Sequence, residues 1–342
     1  MNIFKCTKCG KILNGFIPKA CECGFNAPVV NGVYQFTDDN PISVESDGLK
    51  WLGYELVGEN YEPGYAYNKD TDKIGDCKNF AIYMGNNKII LDLGAGLGGS
   101  SISFAISGLQ AIAADISQVM LEKAIERSKK HNPPSDKIIF VRMNGYKLEL
   151  ADSSVDAVLA IDVLHQVDRP ELVVDEIKRV LKPDGYFLQY GGGSGTVSAY
   201  TKEQSATNAT YEEARKDIQS FYDNIIIKAG YGEPPFSSWE KADKLLEENF
   251  IEFDVIDKTG VYYSGLNTLV EWQLKMGLHK IRTRASGSKQ LIPDDIHNEA
   301  WAKTDEYAKS KYGDNYGEIS RCFISGSYGG MKLYKIRTQE QE

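Results

Sequence analysis

Four cysteines stand within the first 23 residues, at Cys6, Cys9, Cys21 and Cys23. Cys6-Thr7-Lys8-Cys9-Gly10 has the form of a metal knuckle, in which the glycine lets backbone N–H groups turn toward sulfur. Cys21-Glu22-Cys23-Gly24 supplies a second pair, one residue tighter because Ala20 stands where C-x-x-C spacing needs a cysteine. Four thiolates this close suit one tetrahedral zinc ion, with an iron site or a metal-free remnant as alternatives. The opening Met1-Asn2-Ile3-Phe4-Lys5 lacks the basic flank and apolar run of a secretory leader. The expected compartment is therefore the cytoplasm, where thiols stay reduced and clustered cysteines read as metal ligands. Cys77 and Cys322 are isolated and read as buried, inert thiols.

A second constellation carries different chemistry. Ile89-Ile90-Leu91-Asp92-Leu93-Gly94-Ala95-Gly96-Leu97-Gly98-Gly99 is an apolar strand running into a glycine turn that opens a helix over 100–107. Glycine lets the backbone approach a ligand closely, and a helix N-terminus offers unpaired N–H groups. Gly94, Gly96 and Gly99 match the spacing of dinucleotide loops; Gly94, Gly96 and Gly98 match the G-x-G-x-G loop beneath S-adenosylmethionine. Asp92 separates the two, because a carboxylate here repels a pyrophosphate but suits a cofactor carrying an ammonium and a sulfonium. Its alternative role is to accept backbone N–H bonds from the turn. Asp115 ends the next strand in Ala113-Ala114-Asp115-Ile116-Ser117, 23 residues after Asp92. An acid there accepts ribose hydroxyls, or else it is a plain helix N-terminal acid. Asn144 and Gly145 end the third strand, where a polar residue bonds an adenine amino group; an ordinary Asn-Gly turn is the competing reading.

These residues need a frame. Apolar runs at 88–93, 110–114, 137–142, 155–161 and 186–190 alternate with helical patterns. The clearest helix covers 170–182, with Val173, Ile177, Val180 and Leu181 on one face, Asp168 and Glu171 as a capping box, and Pro183 and Gly185 as its stop. Strands alternating with helices mean βαβ units, a parallel sheet and an α/β fold. Asn31-Gly32, between β-branched and aromatic residues, predicts a hairpin. A helix is expected near 71–84 and another over 239–249, then a strand over 251–257, a helical stretch through 266–312 and a strand pair around 321–336.

Taken together, the motifs resemble a class I S-adenosylmethionine-dependent methyltransferase of the ubiquinone/menaquinone-biosynthesis-like, type 11 group. The resemblance runs from about 88 to 190 and rests on several stretches. Leu91-Asp92-Leu93-Gly94-Ala95-Gly96-Leu97-Gly98 and Ala114-Asp115-Ile116-Ser117 match the first two motifs. Asp152-Ser153-Ser154-Val155-Asp156-Ala157-Val158 and Val163-Leu164-His165-Gln166-Val167 match the fourth-strand region. Arg179-Val180-Leu181-Lys182-Pro183-Asp184-Gly185-Tyr186 matches the late signature, with Asp184 in place of a glycine. The resemblance implies a Rossmann-like seven-stranded sheet with helices on both faces. It also implies S-adenosylmethionine held by Asp92, Gly94, Ala95, Gly96, Gly98, Asp115, Ile116, Asn144, Gly145 and Asp162. The first 37 residues resemble the small zinc-ribbon segments fused to some methyltransferases, which implies zinc on Cys6, Cys9, Cys21 and Cys23.

That reading divides the chain into a zinc-ribbon-like segment (1–37), a lid or linker with a helix (38–87) and a methyltransferase domain (88–342), with a helical, acceptor-covering insertion at about 262–318. His165 is the candidate proton acceptor, against a structural histidine bonded to nearby backbone; Asp162 is either a cofactor contact or an N-cap. Tyr61, Tyr65 and Tyr67 suit an aromatic lid or an ordinary core, and Arg282 and Arg284 an anion site or a solvated face. The chain has 342 residues, 42% of them hydrophobic, enough for a substantial core. Its net charge of -9 disfavours a phosphate backbone as partner. A small-molecule acceptor is therefore expected. The rival is an RNA substrate gripped by the zinc ribbon, whose Lys5, Lys8, Lys11 and Lys19 stand against Glu22 and, at or just past the segment's end, Asp38 and Asp39, a barely basic balance. A binding protein without catalysis is the third reading. No run of apolar residues is long enough to span a membrane.

Overall fold

The computed structural model describes residues 2–38, 43–46, 49–52, 72–190, 209–231, 239–252, 272–275, 278, 281–282, 292–321, 323–326 and 331–337. Tyr61, Tyr65, Tyr67, Arg284 and Cys322 lie outside these residues.

Fifteen strands are described: β1 (Asn2–Lys5), β2 (Ile12–Asn14), β3 (Val29–Val30), β4 (Val33–Gln35), β5 (Ser43–Ser46), β6 (Leu49–Leu52), β7 (Ile89–Leu93), β8 (Gln110–Asp115), β9 (Ile138–Arg142), β10 (Val155–Leu159), β11 (Leu181–Tyr190), β12 (Phe250–Glu252), β13 (Trp272–Lys275), β14 (Phe323–Gly326) and β15 (Met331–Ile336). The helices are α1 (Asp72–Met84), α2 (Gly99–Ile106), α3 (Gln118–His131), α4 (Pro170–Val180), α5 (Glu212–Lys228), α6 (Trp239–Asn249), α7 (Asp294–Tyr312) and α8 (Tyr316–Ser320).

The main sheet has the order β12-β15-β11-β10-β7-β8-β9-β4-β3. Its first seven strands are the expected sheet, with β7 to β11 parallel and β15 antiparallel to both β11 and β12. Strands β7 and β10 are buried along their whole length, as strands covered on both faces must be. Side chains alternate between the faces. Leu91, Val158 and Phe187 pack toward α4, while Ile90, Leu159 and Leu188 join Cys77, Phe80 and Phe104 beneath α1 and α2. The chain runs β7-β8-β9 to one side and returns to β10 on the other, so the strand order reverses between β7 and β10. In open α/β sheets, the crevice at such a reversal is the usual ligand site.

Two strands extend the sheet beyond seven. Val29–Val30 and Val33–Gln35 form the hairpin that Asn31-Gly32 predicts, with φ of 49° and 86° at its two turn residues. Strand β4 then pairs in parallel with β9. The hairpin of the cysteine segment is thus part of the main sheet.

Other expectations shift. The pair around 321–336 does not form a hairpin: β14 pairs with β13 in a small sheet of its own, and only β15 enters the main sheet. Residues 272–275, expected as helix, are therefore strand. Helix α4 stops at Val180, and β11 begins at once, with an irregular register against β10 at its start. The capping box is absent, because Arg169 is the N-cap and the Asp168 carboxylate instead accepts the Tyr146 hydroxyl. Helices α5, α7 and α8 build a separate apolar core around Ile218, Tyr222, Ile226 and Ile319. In it His297 is held by the Tyr222 hydroxyl at 2.7 Å and the Arg282 carbonyl at 3.0 Å.

Arg179 on α4 fastens the segment between β9 and β10. Its guanidinium donates to the carbonyls of Leu148 and Leu150, at 2.8 Å each, and to Asp152 at 2.6 Å, and it forms a two-point pair with Glu176. Arg179→Ala is expected to lower the free energy of unfolding by about 2–3 kcal/mol, measured in urea melts, because several buried acceptors lose their donor together.

Candidate cofactor site and cysteine cluster

The glycine loop leaves β7 at the strand reversal. Gly94, Gly96 and Gly98 have φ of 70°, 52° and 71°, the left-handed region that side chains rarely adopt. Space forbids side chains as well. A Cβ on Gly94 would lie 2.4 Å from Val163 Cγ2, and one on Gly98 would lie 2.9 Å from Ala124 Cβ. The loop is pinned by the N–H groups of Gly94 and Ala95, which donate to the Ala114 carbonyl at 2.8 and 3.0 Å. Gly98 caps α2, whose short polar first turn includes Ser100 and Ser101.

Asp115 organises the next turn. Its Oδ2 accepts the Gly96 N–H at 2.8 Å and its Oδ1 the Ser117 N–H at 2.9 Å. Its carbonyl accepts the Met143 N–H at 3.0 Å. One residue thus ties together the glycine loop, the start of α3 and the exit of β9. Ser117 caps α3 by accepting the Met120 N–H. Ile116 follows Asp115 in the same turn, and its carbonyl accepts Arg142 Nε at 3.0 Å.

Asp92 is 3% exposed and accepts the Ser101 hydroxyl at 2.5 Å. It is thus fastened to the first turn of α2 through a side chain. Asn144 takes the competing role: its Oδ1 accepts the Tyr146 N–H at 2.9 Å and its carbonyl the Lys147 N–H at 3.1 Å, which makes a turn with Gly145 inside it. Asp162 is not an N-cap. Val163 occupies that position before the short turn Leu164–Gln166, while Asp162 is exposed with φ of 55°. Strained backbone of this kind gathers at functional sites. The contact of Val163 with Gly94 brings the 160–166 loop, with His165, beside the glycine loop. Burial pushes the His165 imidazole down to about 4, so it is neutral at pH 7.

Several partners were not readable from spacing. Ser101, Val163, Arg142 and Gln118 act through contacts between segments distant in sequence, and only a polar side chain inside an apolar pattern hints at Ser101.

The cysteines form a second centre. The four Sγ atoms lie within 4.8 Å of one another, with Cys6–Cys23 at 3.5 Å and Cys9–Cys21 at 3.6 Å. Thiolates around tetrahedral zinc, at Zn–S of about 2.3 Å, stand ~3.8 Å apart, so the donor set fits the ion. The tighter second pair is accommodated by a matching turn. Gly10 N–H donates to the Cys6 carbonyl and Gly24 N–H to the Cys21 carbonyl, with φ of 74° and 84° at the two glycines. A backbone N–H of Phe25 favours the Cys23 thiolate and, with the neighbouring thiols, lowers it to about 7 against burial. Cys77 is fully buried, as expected of an inert thiol.

Residues 91–189 match the family model described as a methyltransferase domain. A demethylmenaquinone methyltransferase of Clavibacter sepedonicus is 41% identical over 96 residues, which cover 28% of this chain and 38% of that one. A sterol 24-C-methyltransferase of Gibberella zeae is 34% identical over 192 residues, 48% of this chain and 50% of that one. The chain thus spans half or less of the length of these two curated relatives. Among solved structures, the YcgJ protein of Bacillus subtilis aligns over 77% of this chain and 100% of its own, at 15% identity and a TM-score of 0.43. Residues 91–189 are a methyltransferase domain, and the cofactor loop, Asp115 and the late signature of the sequence all fall inside it. Among the described residues no helix is long and apolar enough to cross a membrane.

The His165 environment has a consequence for stability. Its folded value lies below the ordinary 6.5, so between about 4 and 6.5 the unfolded chain binds more protons. The contribution is complete above pH 6.5 and is lost as pH falls through 4. His165→Gln is expected to flatten that acid loss by up to about 3 kcal/mol, read from denaturation midpoints at each pH.

Proposed function

We propose that this protein transfers a methyl group from S-adenosylmethionine to a small-molecule acceptor. The observation that carries the reading is the Asp115 carboxylate bonded to the Gly96 N–H of a left-handed glycine loop, inside a methyltransferase domain. S-adenosylmethionine, when bound, supplies a methyl group already activated on a sulfonium.

The chain's own task is then to seat the cofactor, orient the acceptor and keep water out. The glycines admit a ligand against bare backbone. Asp92 contributes a fixed negative charge at the loop, favourable to an ammonium group and hostile to a pyrophosphate. Asp115 accepts ribose hydroxyls with the lone pairs that its two backbone bonds leave over. Ile116, Gly145 and the turn of Asn144 border the adenine, and Asp162 and Val163 bound the side from which the acceptor approaches. His165, neutral at pH 7, takes a proton from an acceptor that must lose one. Helix α7, within the expected insertion at about 262–318, covers the acceptor.

The small-molecule class is supported by the two relatives, whose names give demethylmenaquinone and a sterol as what those proteins act on, and by the net charge of -9. The structural metal is one zinc ion on Cys6, Cys9, Cys21 and Cys23, away from the transfer step.

Calorimetric titration with S-adenosylhomocysteine and, separately, NADH tests the reading. Micromolar binding of the first alone is expected. Asp92→Asn keeps the shape and removes the charge, and should weaken it about 10–100-fold. Binding of NADH instead, or of neither ligand, sinks the proposal.

A further inference from the structure

The cysteine segment is joined to the main sheet by two routes, one of which reaches its cofactor end. The first runs through β1. Lys5 N–H donates to the Glu149 carbonyl at 2.8 Å, and Ala151 N–H donates to the Ile3 carbonyl at 2.7 Å. Lys5 Nζ also bonds Asp152 at 2.9 Å, the carboxylate that Arg179 holds. The segment that leaves the Asn144 turn is thereby clamped between β1 and α4.

The second route runs through the hairpin. Phe4 of β1 is fully buried and stacks on Phe36, ring centroids 5.0 Å apart. Phe36 N–H donates to the Arg142 carbonyl at 3.0 Å, and Arg142 Nε holds the Ile116 carbonyl. One residue earlier, Gln35 Nε2 donates to Gln118 Oε1 at 2.8 Å. Gln118 is the first residue of α3, directly after the Asp115–Ser117 turn, and its own amide reaches back to the Val30 carbonyl. The first route ends on the segment that runs from the Asn144 turn to the start of β10, and the second on the Asp115–Ser117 turn that borders the adenosine end of the proposed cofactor seat.

We propose that metal binding at the four cysteines sets the affinity of that seat for adenosine, with Gln35 as a positioning residue. The physical reason is the size of the segment. Strands β1 and β2 have four and three residues and bury Ile3, Phe4 and Leu13 in the main core, but the turns that carry the sulfurs add no regular element of their own and depend on the metal for their order. In such small modules the free energy of metal binding is the free energy of folding. Loss of the metal releases Phe4 from Phe36, frays β4 from β9 and unpins the segment after the Asn144 turn and the Asp115–Ser117 turn. The glycine loop and Asp92 are anchored through β7, β8 and α2, and stay in place.

This inference rests on the cofactor reading above, and two ligands separate their failures. S-adenosylhomocysteine uses the whole seat; 5′-methylthioadenosine lacks the amino-acid end. Both are titrated into the full chain as loaded with zinc, stripped by chelator and reloaded, with metal content measured each time. One zinc per chain is expected. Stripping should weaken both ligands by about 10-fold or more, and reloading should restore them. Gln35→Leu, with zinc content and thermal midpoint retained, should weaken both about 3- to 10-fold. Asp92→Asn should weaken only S-adenosylhomocysteine. Hydrogen exchange at 142–151 and 115–120 should speed up on stripping. Equal affinities of stripped and loaded chain, or a chain that takes up no metal, overturn the inference. If the stripped chain precipitates, Gln35→Leu decides alone, and unchanged affinity there overturns it. A loaded chain that binds neither ligand overturns the cofactor reading itself.

Discussion

The carboxylate of Asp115 is the fixed point around which the upper edge of the sheet is built. Hydrogen bonds to a charged acceptor are worth about 1.5–3 kcal/mol each, and this one residue takes two from backbone donors on different segments. Its carbonyl takes a third, from the exit of β9. A glycine loop with three left-handed residues has no regular structure to hold it. Its geometry is imposed from outside, by Asp115, by the Ala114 carbonyl and by the side chains of Val163 and Ala124 that fill the space a Cβ would need.

The cysteine segment solves a second problem. With seven strands the sheet would expose β9, a long edge with unpaired N–H and C=O groups and a ready site for association. Strand β4 covers the C-terminal end of that edge, at Val141 and Arg142, and β3 leaves a new edge only two residues long. The same covering ties the four sulfurs to the turns at Asp115 and Asn144. The four-cysteine cluster and the glycine-loop region, on different elements, thereby share one set of backbone bonds.

The two acids of the glycine region have different surroundings. Asp92 is buried and fastened to a neighbouring hydroxyl, while each Asp115 oxygen accepts a backbone N–H. That difference suits a fixed charge in one case and a fixed frame in the other. His165 lies on the loop that packs against Gly94, and Asp92, the glycine loop, Asp115, Asn144 and Asp162 all stand at the C-terminal ends of strands. Helices α5, α7 and α8 form a core of their own, closed by the buried Tyr222–His297 pair.

Periodicity and turn chemistry determined much of this protein. The α/β alternation, the glycine loop, the Asn31-Gly32 hairpin and the four-cysteine cluster are local patterns, set by neighbours a few residues apart, and each is present as read. The sequence did not determine where the local pieces dock. The fate of the hairpin, the pairing of β14 with β13 and the loss of the Asp168 cap to Tyr146 were all decided in the tertiary structure. In each case a hydrogen-bond partner far away in sequence outcompeted the local one, and only the folded chain brings that partner within reach.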